Sequence, residues 1–388
     1  MIPVRVVWHP KPHAPSAPTP IRRFRRPVPA TSLRATRLTP RTSAPATPVA
    51  PRPRADLSVQ SLRGLAVILM VAGHVIGDDG GRGLQVPDDS LWRSAYLLLD
   101  DIRMPFFTLL SGYVYALRPV RGTDAVPGFL RRKVDRLLVP LLFVGLTTMA
   151  VQAAVPGTNE KPGAESFLQL VVFGYQHLWF LLAAMVIFSL TALLDAHAPR
   201  WTARSHACLV AGAFALAALV QVPAQGNVFA INQAIWLWPF FLVGAGLQRF
   251  GLRTTAPRVG ALAAVTTLLL VTGALGLAEG LPSAVVRLHG LATGLCALLL
   301  VYLVRGRLHA STLARLGAYS YGIYLWHVLG AAGSRIVLTK LGLTSTSLLF
   351  VLGIAVAIAV PVVAERTVGR TRWGGWLAFG RRPRPATS

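Results

Sequence analysis

The strongest constraint on this chain is a set of long apolar runs that show neither a 2- nor a 3.6-residue alternation. Those over 137–155, 208–222, 261–277 and 348–364 are examples. Each is about the length that crosses a bilayer as a helix. In hydrocarbon every backbone N–H and C=O must be satisfied within the chain, so helices are the expected form. A membrane β-barrel would need short alternating segments, and these do not dominate. Composition agrees: 53% of residues are hydrophobic and only 14% charged, against roughly a quarter charged in soluble domains.

The net charge of +25 suggests nucleic-acid binding at first sight. The cations are not gathered on one amphipathic element, however. They sit in the tails and in alternate loops, as membrane insertion demands, and a nucleic-acid partner is not expected. Cys208 and Cys296 lie inside apolar runs, with no CxxC pair and no Cys/His spacing for a metal.

Ten apolar segments are expected near 58–77, 94–117, 137–155, 178–195, 206–222, 229–248, 259–278, 283–303, 319–338 and 346–364. Arginines mark the segment before the first, the loop 118–136, the loops after the fourth, sixth and eighth, and the C-terminal stretch. The intervening loops are poor in cations. This alternation predicts an all-α, polytopic helical bundle of about ten transmembrane helices with both termini in the cytoplasm. Residues 1–56, rich in Pro and Arg, read as a disordered basic tail attracted to anionic headgroups. Residues 57–366 form the membrane domain, and 367–388 a basic cytoplasmic tail.

Ionisable residues at membrane depth are costly and default to a functional reading. The first segment carries Arg63 and His74, eleven residues apart. On a helix this places them on one face, ~16 Å apart. Snorkelling of Arg63 and a hydrogen-bonded core histidine are the plain alternatives. In the second segment Asp100, Asp101 and Arg103 stand near the same end as His74. A carboxylate there would orient the imidazole and raise its basicity; the plain alternative is an Asp–Arg pair at the lipid interface. Ser111-Gly112-Tyr113 follows, with Gly112 permitting close helix approach and Ser111 suited to packing rather than nucleophilic attack. Arg131, Arg132 and Arg136 recur at helical spacing and suit phosphate groups.

The motifs RGLAVILMVAGH, MPFFTLLSGY, RRKVDRLLVP, HLWFL and SYGIYLWH occur in this order. Over residues 57–365 they resemble the membrane acyltransferase 3 family, most closely its fucose O-acetylase-like branch. By that resemblance Arg63 and His74 match the family's paired positions on the first helix, and Arg131, Arg132 and Arg136 its arginine-rich loop. His177 and Trp179 match the HLWFL element, Tyr324 and His327 the SYGIYLWH element, and Glu365 a glutamate at the end of the last helix. Asp100–Asp101 depart from the usual lead-in to MPFF, and no SGNH hydrolase-like domain follows the last segment.

The resemblance implies an enzyme of the bacterial inner or plasma membrane. Its donor would be cytoplasmic acyl-CoA, above all acetyl-CoA, with no permanently bound cofactor and no metal. Arg131, Arg132, Arg136 and Arg63 would hold the donor's phosphates. His74, supported by Asp100 and Asp101, would act as general base on a hydroxyl of a glycan or glycosylated acceptor. Ser111, Tyr113, His177, Trp179, Tyr324, His327 and Glu365 would support the site or the substrate. A transporter or flippase using Arg63, Asp100, Asp101 and His74 as a pathway is the rival class, and a non-catalytic scaffold the third.

Overall fold

The computed structural model describes residues 57–198, 200–277 and 280–382; the tail expected over residues 1–56 lies outside them. All regular structure among the described residues is helical. The first six helices are α1 (Leu57–Ile76), α2 (Leu91–Leu98), α3 (Asp100–Ala116), α4 (Ala125–Lys133), α5 (Val139–Ala154) and α6 (Ser166–Leu168). Then come α7 (Trp179–His197), α8 (Ala203–Leu219), α9 (Ile231–Phe250), α10 (Ala256–Ala274) and α11 (Ser283–Leu303). The last four are α12 (Ser311–Ala318), α13 (Ser320–Lys340), α14 (Thr346–Arg366) and α15 (Arg372–Phe379).

All ten expected segments are helical in whole or in part, but seven helical stretches are long and apolar enough to cross a membrane. They are Leu57–Ile76, Ala125–Ala154, Ser166–His197, Val228–Phe250, Ala256–Ala274, Ser283–Leu303 and Thr346–Arg370. The other three fall short for separate reasons. The segment 94–117 breaks at Leu99, whose φ of −101° and ψ of 0° separate α2 from α3. α8 has only 17 residues. α13 has 21 residues but carries His327, Ser334, Arg335 and Lys340.

The bundle is built around α1, where Ala66, Val67, Met70 and Val71 are fully buried. It packs against α3, α12, α13 and α14. α10, by contrast, buries little and presents Val265, Leu268 and Val271 outward. Exposed apolar surface of this kind suits lipid contact and is costly in water. α3 and α9 meet at backbone distance. A Cβ on Gly112 would lie 1.9 Å from the Phe241 carbonyl oxygen, and one on Gly244 1.9 Å from that of Leu109. Gly112 thus does what small residues do at membrane helix crossings.

Two π turns, Val134–Leu138 and Gln169–Phe173, interrupt the helices next to the polar clusters described below. Residues 367–382, expected as a tail, contain a 3₁₀ turn and α15. α15 is docked through buried Ala378 and Phe379.

Candidate active site

At its C-terminal end α1 presents His74 to a cavity of about 430 Å³. Its Nδ1 lies 2.9 Å from the Met70 carbonyl oxygen one turn earlier. A carbonyl can only accept, so Nδ1 carries the proton, and the neutral ring has its lone pair on Nε2. The imidazole is therefore held by its own helix rather than by a carboxylate, which corrects the role expected for Asp100 and Asp101. Asp100 lines the same cavity but binds Arg103 at 2.5 Å. Asp101 turns toward α11, where a Cβ on Gly290 would meet its carboxylate oxygens at 2.8 Å.

Two further histidines surround His74. The ring of His327 is centred 4.8 Å away and that of His177 6.1 Å, with 4.9 Å between these two. The turn carrying His177 is set by Gly174 (φ 95°), which ends a π turn, and by Gln176 in the left-handed region (φ 47°). A non-glycine residue there stores strain, a feature that clusters at functional sites. Two hydrogen bonds tie this turn to α13: Tyr324 Oη donates to the His177 carbonyl at 2.7 Å, and His177 Nε2 to the Leu325 carbonyl at 3.2 Å. His327 Nδ1 donates to the carbonyls of Ile323 and Tyr324. By the same reasoning His177 Nδ1 and His327 Nε2 hold lone pairs, and both atoms are buried without a hydrogen-bond partner among the described residues. Buried polar atoms are rarely left so outside functional sites.

Arg103, read from sequence as half of an interfacial pair, is 5% exposed and lines the cavity. It lies over the Tyr96 ring at 3.9 Å and against Gly73, where any side chain would collide with its Nη1. Gly73 is therefore required beside His74 to admit the guanidinium. Loop residues Asp78, Arg82 and Glu160 border the cavity and are linked through Arg82, at 2.9 Å to Asp78 and 4.0 Å to Glu160.

A second polar cluster lies toward the start of α1. Arg63 is half-buried, has no carboxylate partner among the described residues, and lies within electrostatic range of Arg136. The π turn over Val134–Leu138 changes the register of the arginine-rich segment. Arg131 and Arg132 are consequently exposed, while Lys133 and Arg136 turn inward. This splits the expected set of three. Arg136 stacks on Tyr321 at 3.8 Å, its Nη1 donates to the Phe379 carbonyl at 2.7 Å, and its carbonyl accepts the Tyr321 hydroxyl. Lys133 Nζ lies 3.3 Å over the Phe188 ring. Glu365 is buried against Gly322 and pairs with Arg381.

Of the expected residues, the structure gathers His74, Asp100, His177, Trp179 and Tyr324 at the cavity with His327 buried against His74, and Arg63, Arg136 and Glu365 at the other cluster. Ser111 and Tyr113 do not line the cavity; Tyr113 packs 6.2 Å from Tyr302. Sequence reasoning missed the burial of Arg103 at the cavity and the inward turn of Lys133. It also missed Tyr321 and Arg381. A lone arginine immediately before MPFF was the available signal for the first; the others depend on a π turn and a docked terminus that no local pattern announces.

A helical membrane bundle with a buried histidine cluster beside a guanidinium defines the class as a membrane-embedded enzyme. The chain matches the model of the acyltransferase 3 family, described as an acyltransferase domain, over residues 56–366. It belongs to that family and is a membrane acyltransferase. No curated protein and no solved structure matches it.

Proposed function

We propose that the protein transfers an acetyl group from cytoplasmic acetyl-CoA to a hydroxyl of a glycan or glycosylated acceptor across the cell membrane. The observation that carries this reading is the fixed tautomer of His74, whose Nε2 lone pair has no hydrogen-bond partner among the described residues, at a mostly apolar cavity that Arg103 also lines. The arginine distribution supports ten spans with both termini in the cytoplasm. The Arg63–Arg136 cluster then faces inward and the His74 cavity outward.

In this scheme Arg63, Lys133 and Arg136 hold the donor's phosphates; Arg131 and Arg132 add only attraction at the surface. Seven residues of α1, ~10 Å, separate Arg63 from Met70 on the cavity wall, a gap for the pantetheine arm to cross. His74 Nε2 removes the acceptor hydroxyl proton as the oxygen attacks the thioester carbon. Arg103 Nη1 donates to the developing oxyanion. When the C–S bond breaks, His74 returns its proton to the departing thiolate, leaving an ester and free CoA. The neutral rings of His177 and His327, centred 6.1 and 4.8 Å from that of His74, hold it in place through the proton transfers. Asp100 holds Arg103, and Trp179 and Tyr324 shape the acceptor's approach.

The test is the fate of acetyl-labelled CoA supplied to proteoliposomes with envelope glycans. Label bound covalently to glycan supports the enzyme reading. Vesicle uptake without covalent transfer would replace it with the transporter reading.

A further inference from the structure

Next to the His74 cavity lies a second, more open one of about 610 Å³, and the two share Asp100, Met104 and Trp179 on their walls. Its remaining surface is mostly apolar, with Pro105, Leu237, Leu281 and Val286, but polar groups interrupt it. Gln221, Asn232, Gln233, Trp236 and Arg287 all reach it, near the start of α9 and α11 and the end of α8. The indole N–H groups of Trp179 and Trp236 have no hydrogen-bond partner among the described residues, and neither is sealed from the cavity. Gln233 accepts from Asn227 at 3.3 Å through Oε1, which leaves its amide N–H₂ to donate.

The wall is rigid. Asn232 clasps both backbone groups of Val222 at 2.8 Å, and its own N–H is held by Asn227 at 2.9 Å. Phe229 and Ala230, just before α9, are consecutive left-handed residues (φ 54° and 55°). Such strain persists only where surrounding contacts over-determine it.

Flat aromatic faces with a polar edge, flanked by amides, match a pyranose ring, which has an apolar C–H face and a rim of hydroxyls. A lipid acyl chain would leave the Gln233 amide N–H₂ and the two indole N–H groups unpaired, whereas Asn232 is already satisfied by Val222. An anionic group is disfavoured, because Arg287 already spends its terminal nitrogens on Gln221 and on the carbonyls of Ala217 and Val220. We infer that this groove binds a neutral sugar unit adjacent to the one being acylated, so that the acceptor is a saccharide of two or more units lying across Trp179 and Trp236. The inference rests on the proposed glycan acceptor and extends it to chain length.

The full chain in nanodiscs, without acyl-CoA, is mixed with mono-, di- and tetrasaccharide pools obtained by partial hydrolysis of envelope polysaccharide. A parallel arm uses sugar headgroups released from glycolipids. Retained sugars are read by mass spectrometry, and acetyl transfer is measured separately on the same preparations. Retention of disaccharides and longer chains over monosaccharides by tenfold or more is expected. Trp236→Ala lowers this preference about tenfold, whereas Trp236→Phe, which keeps the ring and the packing, retains most of it. The arm that shows the effect identifies the source.

Equal retention of all lengths, no retention, or an unchanged preference in Trp236→Ala overturns the inference even if acetyl transfer proceeds. A Trp236-dependent length preference without acetyl transfer preserves the groove and removes the transferase reading of its neighbour.

Discussion

His74 donates its Nδ1 proton to the carbonyl of Met70, four residues earlier on the same helix, at 2.9 Å. A catalytic histidine is more often oriented by a carboxylate. Here the backbone does that work, and the consequence is that the nearby aspartates are unequal. Asp101→Asn is expected to leave kcat/KM within about threefold, because Asp101 faces Gly290 and Gly294 of α11. Asp100→Asn releases Arg103 and lowers kcat by about tenfold or more. Equal, severe losses in both variants would restore the carboxylate-supported mechanism.

The histidine cluster predicts a pH profile. His74 works as a base only when neutral, so kcat/KM falls as acid protonates its imidazole. The groups facing it are the rings of His177 and His327 together with Asp78, Asp100 and Arg103. His327→Gln removes a neighbouring ring lone pair, and its acid limb is expected to shift relative to wild type while the protein still inserts and folds. An unchanged profile would reduce His327 to packing.

Register at the arginine-rich segment separates binding from surface charge. Arg136→Gln and Arg63→Gln are expected to raise the KM for acetyl-CoA by roughly 10–100-fold, since each removes a charge from a half-buried site. Arg131→Gln and Arg132→Gln, both exposed, change it by only a few-fold, and that change vanishes at high salt. Initial-rate kinetics at two ionic strengths checks this ordering.

The α3–α9 crossing carries stability rather than chemistry. Gly112→Leu forces a side chain into the Phe241 carbonyl. It should destabilise the folded bundle by about 1–3 kcal/mol. Thermal unfolding in detergent, with Ser111→Ala as a near-neutral control, measures the effect.

These contrasts mark where local pattern suffices and where it does not. Apolar runs located helices in all ten expected places, and the spacing of Arg63 and His74 marked the two ends of α1 that bear polar clusters. Asp101 parts from Asp100 because neighbours on a helix are rotated by about 100°, and here that rotation turns the second aspartate to α11. The arginine trio is split between exposed and half-buried positions where a π turn adds a residue to the helical repeat and resets the face. The convergence of His177 and His327 on His74 depends on contacts across 148 and 147 residues of chain, between the His177 turn and α13. Their motifs could be seen, but not their meeting.

The most direct measurement is the rate of acetyl transfer from acetyl-CoA by His74→Ala in proteoliposomes, at matched protein amount and with thermal unfolding confirming an intact fold. A loss of ~10²–10⁴-fold relative to wild type is predicted. Transfer within a few-fold of wild type would contradict the assignment of the proton-accepting step to this imidazole.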